Sequence, residues 1–447
     1  MQLELISTTF PEGKKSVCRR CFSCIPDPGA ENEVVNLYPE IEYQTIEGFG
    51  GAFTDSAASV FSLMSEAAQR QLLDAYFDPK KGAGYTLGRI HLDSCDFSLE
   101  HFEAVSDPQD TAFKSFSLSR WGRYLLPFIQ AAEKTRGKPL TFIAAPWSPP
   151  AFMKTTGKRN NGGALREAYR EAYAKYLGTY LLALRKAGIE VRRVTVQNEP
   201  LAVQQWDSCV YTAEEEKQFI RDFLSPTLRA MNLGEVELFI WDHNKERVYE
   251  RTRDILDQDT DALIRGVAFH WYSGDHFEAL RLIREQFPEK ILIHTESCLE
   301  YSRLDKGDQM RNAQKYAHDL IGDLNNGVSA FYDWNLVLDE QGGPNHVRNF
   351  CDAPFLFHRD TGELEERPSF AHISHFSRYI HAGAKGIAFS RYTGLFEMTA
   401  FRNTDGTITA VFLNPTDKPL PVQLRLRGNV STFSLLPQSI ATGILRP

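Results

Sequence analysis

Two glutamates stand where they could act as a catalytic pair. Glu199 directly follows one short apolar run of the chain, and Glu296 follows another, much later one. Retaining glycoside hydrolysis needs two carboxyl groups about 5–5.5 Å apart, because one attacks the anomeric carbon while the other protonates the leaving oxygen. Either glutamate alone would more often be a salt-bridged structural residue. The hypothesis therefore depends on a fold that brings both side chains to one cavity.

The elements that would position this pair repeat along the chain. From residue 46 to about 338, short apolar runs rich in β-branched and aromatic residues alternate with amphipathic helical patterns, which is typical of β-α units and a parallel sheet. The predicted strands are 45–52, 85–92, 140–145, 193–197, 236–241, 266–270, 291–295 and 328–333. Eight such repeats predict an α/β fold, a (β/α)8 TIM barrel. A doubly wound open sheet is the alternative, but Gly48-Phe49-Gly50-Gly51 lacks its G-x-G-x-x-G spacing.

The pattern changes after Pro368. One more helix is predicted at 370–380, and from Gly386 onward short alternating segments are broken by turn sequences such as Asn403-Thr404-Asp405-Gly406. These segments predict a small antiparallel β domain, to which residues before 45 could add a strand. The predicted division is an N-terminal segment 1–45, a barrel 46–383 and a C-terminal β domain 384–447.

Polar residues concentrate where the predicted barrel strands end. Catalytic residues of such barrels stand at the carboxyl ends of the strands, because the following loops build the cleft. The residues at these ends include Asp93 to Asp96, Trp147, Asn198 and Glu199, His270 to Tyr272, Glu296, and Asp333 to Asn335. Glu199 after strand four and Glu296 after strand seven would then face each other across the mouth.

Several motifs in a fixed order resemble one known family. They are Gly48-Phe49-Gly50-Gly51-Ala52 with Thr54-Asp55, Ser94-Cys95-Asp96-Phe97-Ser98, Ala145-Pro146-Trp147-Ser148-Pro149-Pro150, Gln197-Asn198-Glu199-Pro200, His270-Trp271-Tyr272, Thr295-Glu296-Ser297-Cys298, Asp333-Trp334-Asn335-Leu336 and Gly342-Gly343-Pro344-Asn345. Through nearly its whole length the sequence resembles glycoside hydrolase family 30, close to the glucosylceramidase branch. The resemblance implies a barrel with a side β-sandwich built from both termini, and a retaining β-glycosidase acting on glucosyl or closely related units.

The same resemblance implies roles for the carboxylates. Glu199 would be the acid/base, protonated before the first step, and Glu296 the nucleophile, which must be ionised. Arg89 on strand two could reach the barrel mouth and supply positive charge near Glu296. Its alternative is a barrel-core ion pair with Asp93 or another acid.

Further residues are expected to hold the sugar. Tyr272 would hydrogen-bond the nucleophile, Asn198 would contact the sugar 2-hydroxyl, and Trp206 could form a platform beyond the cleavage point. The full set of predicted substrate-binding residues is Arg89, Asp96, Trp147, Asn198, Trp206, Trp271, Tyr272, Trp334 and Asn345. The loop that carries Trp206 differs from that of the lysosomal mammalian relatives, which leaves the leaving group open.

Other functions remain as alternatives. An endo-acting β-1,6-glucanase or xylan-degrading enzyme of the same family would need an open groove, and a non-catalytic sugar-binding protein would never turn substrate over. A metal-dependent barrel hydrolase would need clustered histidines at the strand ends, and the sequence has none paired there. We therefore expect no metal and no cofactor.

Composition narrows the partners. Acidic residues outnumber basic ones 58 to 50 without long charged blocks, which argues against nucleic acid. We expect a carbohydrate or glycoconjugate substrate, no transmembrane segment and, because no signal peptide is visible, a cytoplasmic enzyme, or a secreted one if the sequence is a processed form. The oligomeric state stays open. Most of the seven cysteines are expected to be free, although Cys18, Cys21 and Cys24 could hold a metal or form a bridge.

Overall fold

Eight parallel strands close into a barrel in the computed structural model, which describes residues 1–110, 112–302 and 307–446. In chain order the barrel strands, numbered one to eight below, are Gly48–Phe53, Leu87–Leu92, Thr141–Pro146, Val191–Thr195, Glu237–Asn244, Ile264–His270, Ile291–Glu296 and Val328–Asn335. Strand eight pairs with strand one, and this pairing closes the barrel. The predicted α/β barrel is confirmed, with strand bounds displaced by a few residues at most.

Helices follow the strands around the outside of the barrel. They are Asp55–Leu63, Glu66–Phe77, Ser119–Arg123, Leu125–Arg136, Arg170–Lys186, Ala213–Gln218, Ser225–Ala230, Val248–Ile255, Phe277–Gln286, Gln309–Asn325 and Pro368–Ser377, with a π-helical turn at Phe219–Leu224. Side-chain caps begin several of them: the Ser65 hydroxyl accepts a hydrogen bond from the Ala68 amide. None of the helices in the described ranges has the length and hydrophobicity of a membrane span.

Small residues let the strands approach in the barrel wall. A β-carbon added at Gly50 would lie 2.1 Å from the Leu87 carbonyl oxygen, so only glycine fits there. Inside the barrel a compact apolar layer includes Ile143, Phe239 and Tyr332. This filled interior leaves the carboxyl ends of the strands as the place for a site.

Both termini build one β-sandwich beside the barrel. Gln2–Thr9 pairs with Ser439–Arg446, so the first and the last strands are neighbours. The strand order is Ser16–Ser23, Gln2–Thr9, Ser439–Arg446, Ile408–Asn414, Glu397–Arg402, Lys385–Arg391, Val34–Thr45, Leu420–Leu426, Asn429–Leu435 and Ile25–Pro26. The predicted side β-sandwich from both terminal segments is confirmed. Residue 447 of the predicted C-terminal domain lies outside the described residues.

The N-terminal cysteines lie on this sandwich. Cys18 and Cys21 are exposed thiols of the strand Ser16–Ser23, and Cys24 follows it. Residues three apart on a strand point to opposite faces. Cys18 and Cys21 therefore point to opposite faces of the strand. This arrangement argues against a shared metal or a disulfide bridge between them.

Candidate active site

A cavity of about 270 Å³ opens at the carboxyl ends of the barrel strands. Its wall contains both glutamates predicted from the sequence, Glu199 and Glu296. The remaining lining residues are Asp96, Trp147, Asn198, Ala202, Gln204, Trp206, His243, Asn244, Tyr272, Cys298, Glu300, Trp334 and Asn349. The two carboxylates therefore share one cavity.

Glu296 is held through both of its carboxylate oxygens. It is the last residue of strand seven, and its side chain is 9% exposed. The Tyr272 hydroxyl donates to Oε1 over 2.8 Å, and Arg89 Nη1 donates to Oε2 over 2.5 Å. Such charge-assisted hydrogen bonds fix the direction in which the carboxylate points.

Arg89 lies beneath the cavity instead of in its wall, which corrects its predicted contact with substrate. Its guanidinium is fully buried and also donates to Asn198 and Asp242, over 2.8 and 3.0 Å. Burial by itself would lower the pKa of Arg89, but the charges of Asp242 and Glu296 outweigh it and raise the pKa. The guanidinium thus stays charged and orients the residues above it.

Asp93 is not the partner of Arg89. Arg159 Nη1 lies 3.3 Å from Asp93 Oδ2, and the Tyr176 hydroxyl also donates to this carboxylate. Burial raises the pKa of Asp93 to about 6 against the charge of Arg159. The alternative of a barrel-core pair between Arg89 and Asp93 is therefore wrong, whereas an ion pair between Arg89 and another acid, Asp242, is present.

Glu199 adopts a left-handed backbone conformation just past the end of strand four. Its φ is +48°, and its amide donates to the carbonyl oxygen of Asp242 over 3.0 Å. Non-glycine residues in this region are uncommon and cluster at functional sites. The side chain contacts His270, with Nδ1 3.4 Å from Oε1.

His270 places a positive charge beside Glu199. Burial by itself lowers the pKa of His270, but the charge of Glu296 and the hydrogen bond to Asp242 outweigh it and raise the pKa to about 9. Burial by itself would raise the pKa of Glu199, but the hydrogen bond and charge of His270 lower it below the usual value. The shifts of the two pKa values therefore favour the shared proton on the imidazole.

Asp242 connects these groups under the cavity floor. It accepts hydrogen bonds from the Thr195 and Thr295 hydroxyls over 2.7 and 2.6 Å, and His270 Nε2 lies 3.1 Å away. Burial alone would raise its pKa, but the charge of Arg89 and the hydrogen bond to His270 hold the pKa well below its usual range. A permanent carboxylate thus keeps His270 oriented and charged.

Two indole rings and a hydrogen-bonded carboxyl–amide pair form a further part of the cavity wall. Trp147 and Trp334 stack at 5.4 Å between ring centroids, and the Arg89 guanidinium lies over both rings. Asn349 Nδ2 donates to Asp96 Oδ2 over 3.1 Å. Burial and the charge of Glu296 raise the pKa of Asp96 well above its ordinary value.

Besides Arg89, two other predicted substrate contacts, Trp271 and Asn345, are not in the cavity wall. Trp271 packs in the core, with its ring 4.6 Å from that of Tyr316 and its indole N–H donating to the Cys298 carbonyl oxygen. Successive residues at a strand end point to opposite sides, so Tyr272 takes the cavity side. Asn345 instead holds its own loop, accepting hydrogen bonds from the amides of Val347 and Asn349.

Several residues of the site are not among those predicted from the sequence. They include Asp242, His243 and Asn244 at the end of strand five, and Asn349 in the loop after strand eight. The run Trp241-Asp242-His243-Asn244 carries the same signal, polar residues following an apolar strand, that revealed strands four and seven. Asn349 carries no such signal, because a long loop brings it to Asp96.

The residue clusters that could hold a metal ion lie outside the cavity wall. Within the described parts of the chain, His101 with Asp207 and His346 forms one cluster, and His294 with Asp319 and Asp323 forms another. None of these residues lines the cavity. The cavity itself offers a paired carboxylate arrangement suited to acid/base and nucleophilic chemistry.

Two family models match the chain. A family model described as the glycosyl hydrolase family 30 TIM-barrel domain matches residues 46–380, and one described as the family's beta sandwich domain matches 383–443. The lysosomal acid glucosylceramidase of Mus musculus is 31% identical over 413 residues, which are 88% of this chain and 79% of the mouse protein.

Solved structures match over the whole chain. SrfJ from Salmonella typhimurium is 36% identical, with a TM-score of 0.96 and 100% coverage of both chains. An endo-β1,6-glucanase is 26% identical, with a TM-score of 0.89 and the same coverage.

Proposed function

The chain belongs to glycosyl hydrolase family 30 and is a retaining glycoside hydrolase, and from that premise we propose that it releases terminal β-linked glucosyl units, with Glu296 as nucleophile and Glu199 as acid/base. One observation carries the proposal. Glu296 is fixed by Tyr272 and Arg89 in the same cavity that Glu199 lines.

The reaction proceeds in two displacements. A carboxylate oxygen of Glu296 forms a bond to the anomeric carbon as the glycosidic bond breaks, and the leaving oxygen takes a proton from Glu199. Glu199, now a carboxylate, then removes a proton from water as the water oxygen attacks the same carbon. Glu296 leaves, and the β-configured sugar is released. Two inversions give net retention.

The proton for the first step is supplied by the pair formed by His270 and Glu199. Because Nδ1 of His270 lies 3.4 Å from Glu199 Oε1, the proton can pass to the carboxylate when substrate displaces water from the cavity. A bound leaving oxygen next to Glu199 favours the protonated carboxyl group, which can donate a hydrogen bond to it. His270 thus acts as a proton reservoir for the acid.

The size and chemistry of the cavity support a terminal sugar. Its volume, about 270 Å³, lies just below the range of roughly 300–1,000 Å³ that is typical of sites for drug-sized ligands. Asp96 and Asn349 offer an acceptor and an amide to vicinal hydroxyls, while Trp147 offers an indole N–H and an apolar face. A pocket of this size suits one sugar ring.

Exposed apolar side chains next to the cavity wall are compatible with a hydrophobic leaving group. Leu201 and Val203, in the loop that also carries Trp206, are 41% and 65% exposed. They flank Ala202, which lines the cavity. The mouse relative is named a glucosylceramidase, and we propose a β-glucoside with an apolar aglycone as the substrate class.

Azide rescue tests the two roles with an aryl β-glucoside. Glu296→Ala should abolish hydrolysis, and added azide should restore turnover and give the α-glycosyl azide, since azide enters the face vacated by the nucleophile. Glu199→Ala should still form the glycosyl-enzyme from a substrate with a good leaving group, and azide should give the β-glycosyl azide.

The control is Glu278→Ala, which changes an exposed glutamate on the outer helix Phe277–Gln286. It should hydrolyse the substrate as wild type does, with no response to azide. Azide products of the opposite anomers would reverse the two roles. A wild type that binds glucosides without turnover would support a sugar-binding protein instead.

Endo-β-1,6-glucanase activity is the second candidate. Trp206 in the cavity wall could stack on a further sugar unit beyond the cleavage point, and a structural neighbour carries that activity in its name. The products formed from a β-1,6-glucan labelled at its reducing end distinguish endo-β-1,6-glucanase activity from release of terminal glucose. Early internal fragments would favour the glucanase, and glucose alone would favour the terminal-unit enzyme.

A further inference from the structure

Three loops of the barrel mouth bring metal-binding side chains together outside the sugar cavity. His101 follows strand two, Asp207 follows strand four, and His346 follows strand eight. One donor atom from each lies within 4.8 Å of the others. The two imidazole rings meet edge to face at 4.4 Å between centroids, and His101 Nδ1 lies 3.1 Å from Asp207 Oδ1.

His346 presents a lone pair to this cluster. Its Nδ1 lies 2.8 Å from the Ser98 carbonyl oxygen, which can only accept, so Nδ1 carries the proton and Nε2 is unprotonated. Nε2 is buried and has no hydrogen-bond partner among the described residues. Metal-binding histidines use this arrangement, in which the second ring nitrogen donates to a backbone carbonyl that fixes the ring.

Asp207 presents a second unpartnered atom. Its side chain is fully buried, and Oδ1 takes the contacts with His101 and with Arg159, whose Nε lies 3.0 Å away. Oδ2 is buried with no hydrogen-bond partner in the described chain, and the nearby Ser94 hydroxyl donates elsewhere, to the Phe102 carbonyl oxygen. A buried acceptor without a donor destabilises the fold by its desolvation free energy unless a ligand binds there.

The local charge also favours a cation. Arg159 lies within ion-pair distance of three carboxylates, those of Asp93, Glu103 and Asp207, at 3.3, 3.8 and 3.0 Å. One guanidinium cannot neutralise three carboxylates. The other cluster, formed by His294, Asp319 and Asp323, differs because the Lys245 ammonium already binds both aspartates, at 2.6 and 3.1 Å.

We propose that His101, Asp207 and His346 bind one divalent transition-metal ion, with zinc as the expected ion. Two imidazoles and a carboxylate are a ligand set that zinc accepts, with water in the fourth position. Ligand atoms of a tetrahedral zinc lie about 3.3 Å apart, so the present spacing must close by at most about 1.5 Å. His101 can supply this movement because its side chain is 42% exposed.

The ion would join the loops that shape the active site. Each of the three loops also carries a residue of the cavity wall: Asp96 with His101, Trp206 with Asp207, and Asn349 with His346. None of the three metal ligands lines the cavity. The ion therefore fixes the positions of the three loops relative to one another and takes no part in bond cleavage. The inference does not rest on the proposed substrate.

Metal binding is measured directly, without turnover. The starting protein carries Cys18→Ser, Cys21→Ser and Cys24→Ser, because the exposed thiols of Cys18 and Cys21 and the partly exposed thiol of Cys24 would themselves bind zinc. After removal of metal with a chelator, titration calorimetry with Zn²⁺ should give one equivalent per chain, and Tm should rise with Zn²⁺ as ligation of the native state requires. His101→Asn and His346→Asn should each weaken binding at least about tenfold, because losing only an outer-shell partner of a ligand already costs about 10–100-fold in affinity.

His381→Asn, which changes an exposed histidine away from the cluster, is the matched control and should bind like the starting protein. Metal-free Tm values confirm that each variant is folded. If a variant does not fold, Co²⁺ absorption of the starting protein decides, since intense visible bands indicate a low-coordinate nitrogen-oxygen site. Binding unchanged in both histidine variants, or no stoichiometric binding and only the weak spectrum of hydrated Co²⁺, would overturn the proposal.

Discussion

Arg89 Nη1 lies 2.5 Å from Glu296 Oε2, and the guanidinium is fully buried. The same guanidinium donates to Asp242, so two carboxylates share one cation beneath the cavity. Arg89 therefore links the proposed nucleophile, Glu296, to Asp242, the carboxylate that contacts His270.

Arg89→Met should lower both stability and activity. The change leaves Asp242 and Glu296 as uncompensated buried charges, so the free energy of unfolding should fall by about 3–5 kcal/mol. The remaining folded protein should lose at least about 100-fold in kcat/KM, because misdirection of Glu296 removes transition-state contact. Urea unfolding and initial rates measure the two effects.

Arg193→Met is the matched control for that variant. Arg193 is also a buried barrel cation, paired with Glu237 at 3.0 Å and with Glu47, but it contacts none of the cavity residues that the structure describes. It should be destabilised without a comparable loss of kcat/KM in the folded fraction. Equal activity losses in the two variants would mean that Arg89 acts only through stability.

Tyr272→Phe should slow the reaction while leaving the fold intact. It removes the hydroxyl that donates to Glu296 Oε1, a hydrogen bond to a charged group worth about 1.5–3 kcal/mol, or roughly 10–100-fold in rate. Tyr316→Phe, which removes a hydroxyl bound to Asp333 in the core, serves as the control. A kcat/KM for Tyr272→Phe equal to that of the control would refute an effect on the nucleophile.

His270→Asn should move the alkaline limb of the pH–rate profile to lower pH. The active pair holds one proton, which it loses as pH rises through the raised His270 pKa of about 9. Asparagine holds no titrating proton, so the limb then reports the Glu199 carboxyl group, and carboxyl groups ordinarily titrate well below pH 9. We expect a shift of at least about one pH unit in kcat/KM.

His318→Asn controls for any distant imidazole with a similar pKa. The hydrogen bond to Glu397 raises the pKa of His318 to about 9 as well, but the residue lies on the outer helix Gln309–Asn325. Its pH profile should match that of the wild type. If the alkaline limb of His270→Asn stayed at the wild-type pH, His270 would not supply the proton to Glu199.

Asn349→Ala should weaken sugar binding. Asn349 donates to Asp96, and this hydrogen bond counteracts the burial that raises the Asp96 pKa. Without it Asp96 is more readily protonated and loses an acceptor for sugar hydroxyls, so KM for a β-glucoside should rise about tenfold. Trp271→Phe, a change in the core beside the cavity, should lower Tm but keep KM. Opposite results for the two variants would restore Trp271 as a sugar contact.

The sequence alone determined the architecture. Alternating apolar runs and amphipathic stretches predicted all eight barrel strands, because strand and helix periodicity are local properties of the chain. The rule that strand ends carry polar residues pointed to Glu199 and Glu296, whose roles stay predictions. Asp242 carries the same local signal, because it also follows an apolar strand.

Only the tertiary structure decided how the side chains meet. From the sequence, Arg89 could be paired with Asp93 or with another acid. Its observed partners are Glu296 and Asp242, because strands two, five and seven bring these three side chains together in the closed barrel. Trp271 and Tyr272 are adjacent in sequence, yet only one faces the cavity. Asn349 reaches Asp96, and His346 reaches Asp207, through loop closure between residues distant in the chain. Such contacts depend on long-range packing and side-chain direction, which no local pattern of residues encodes.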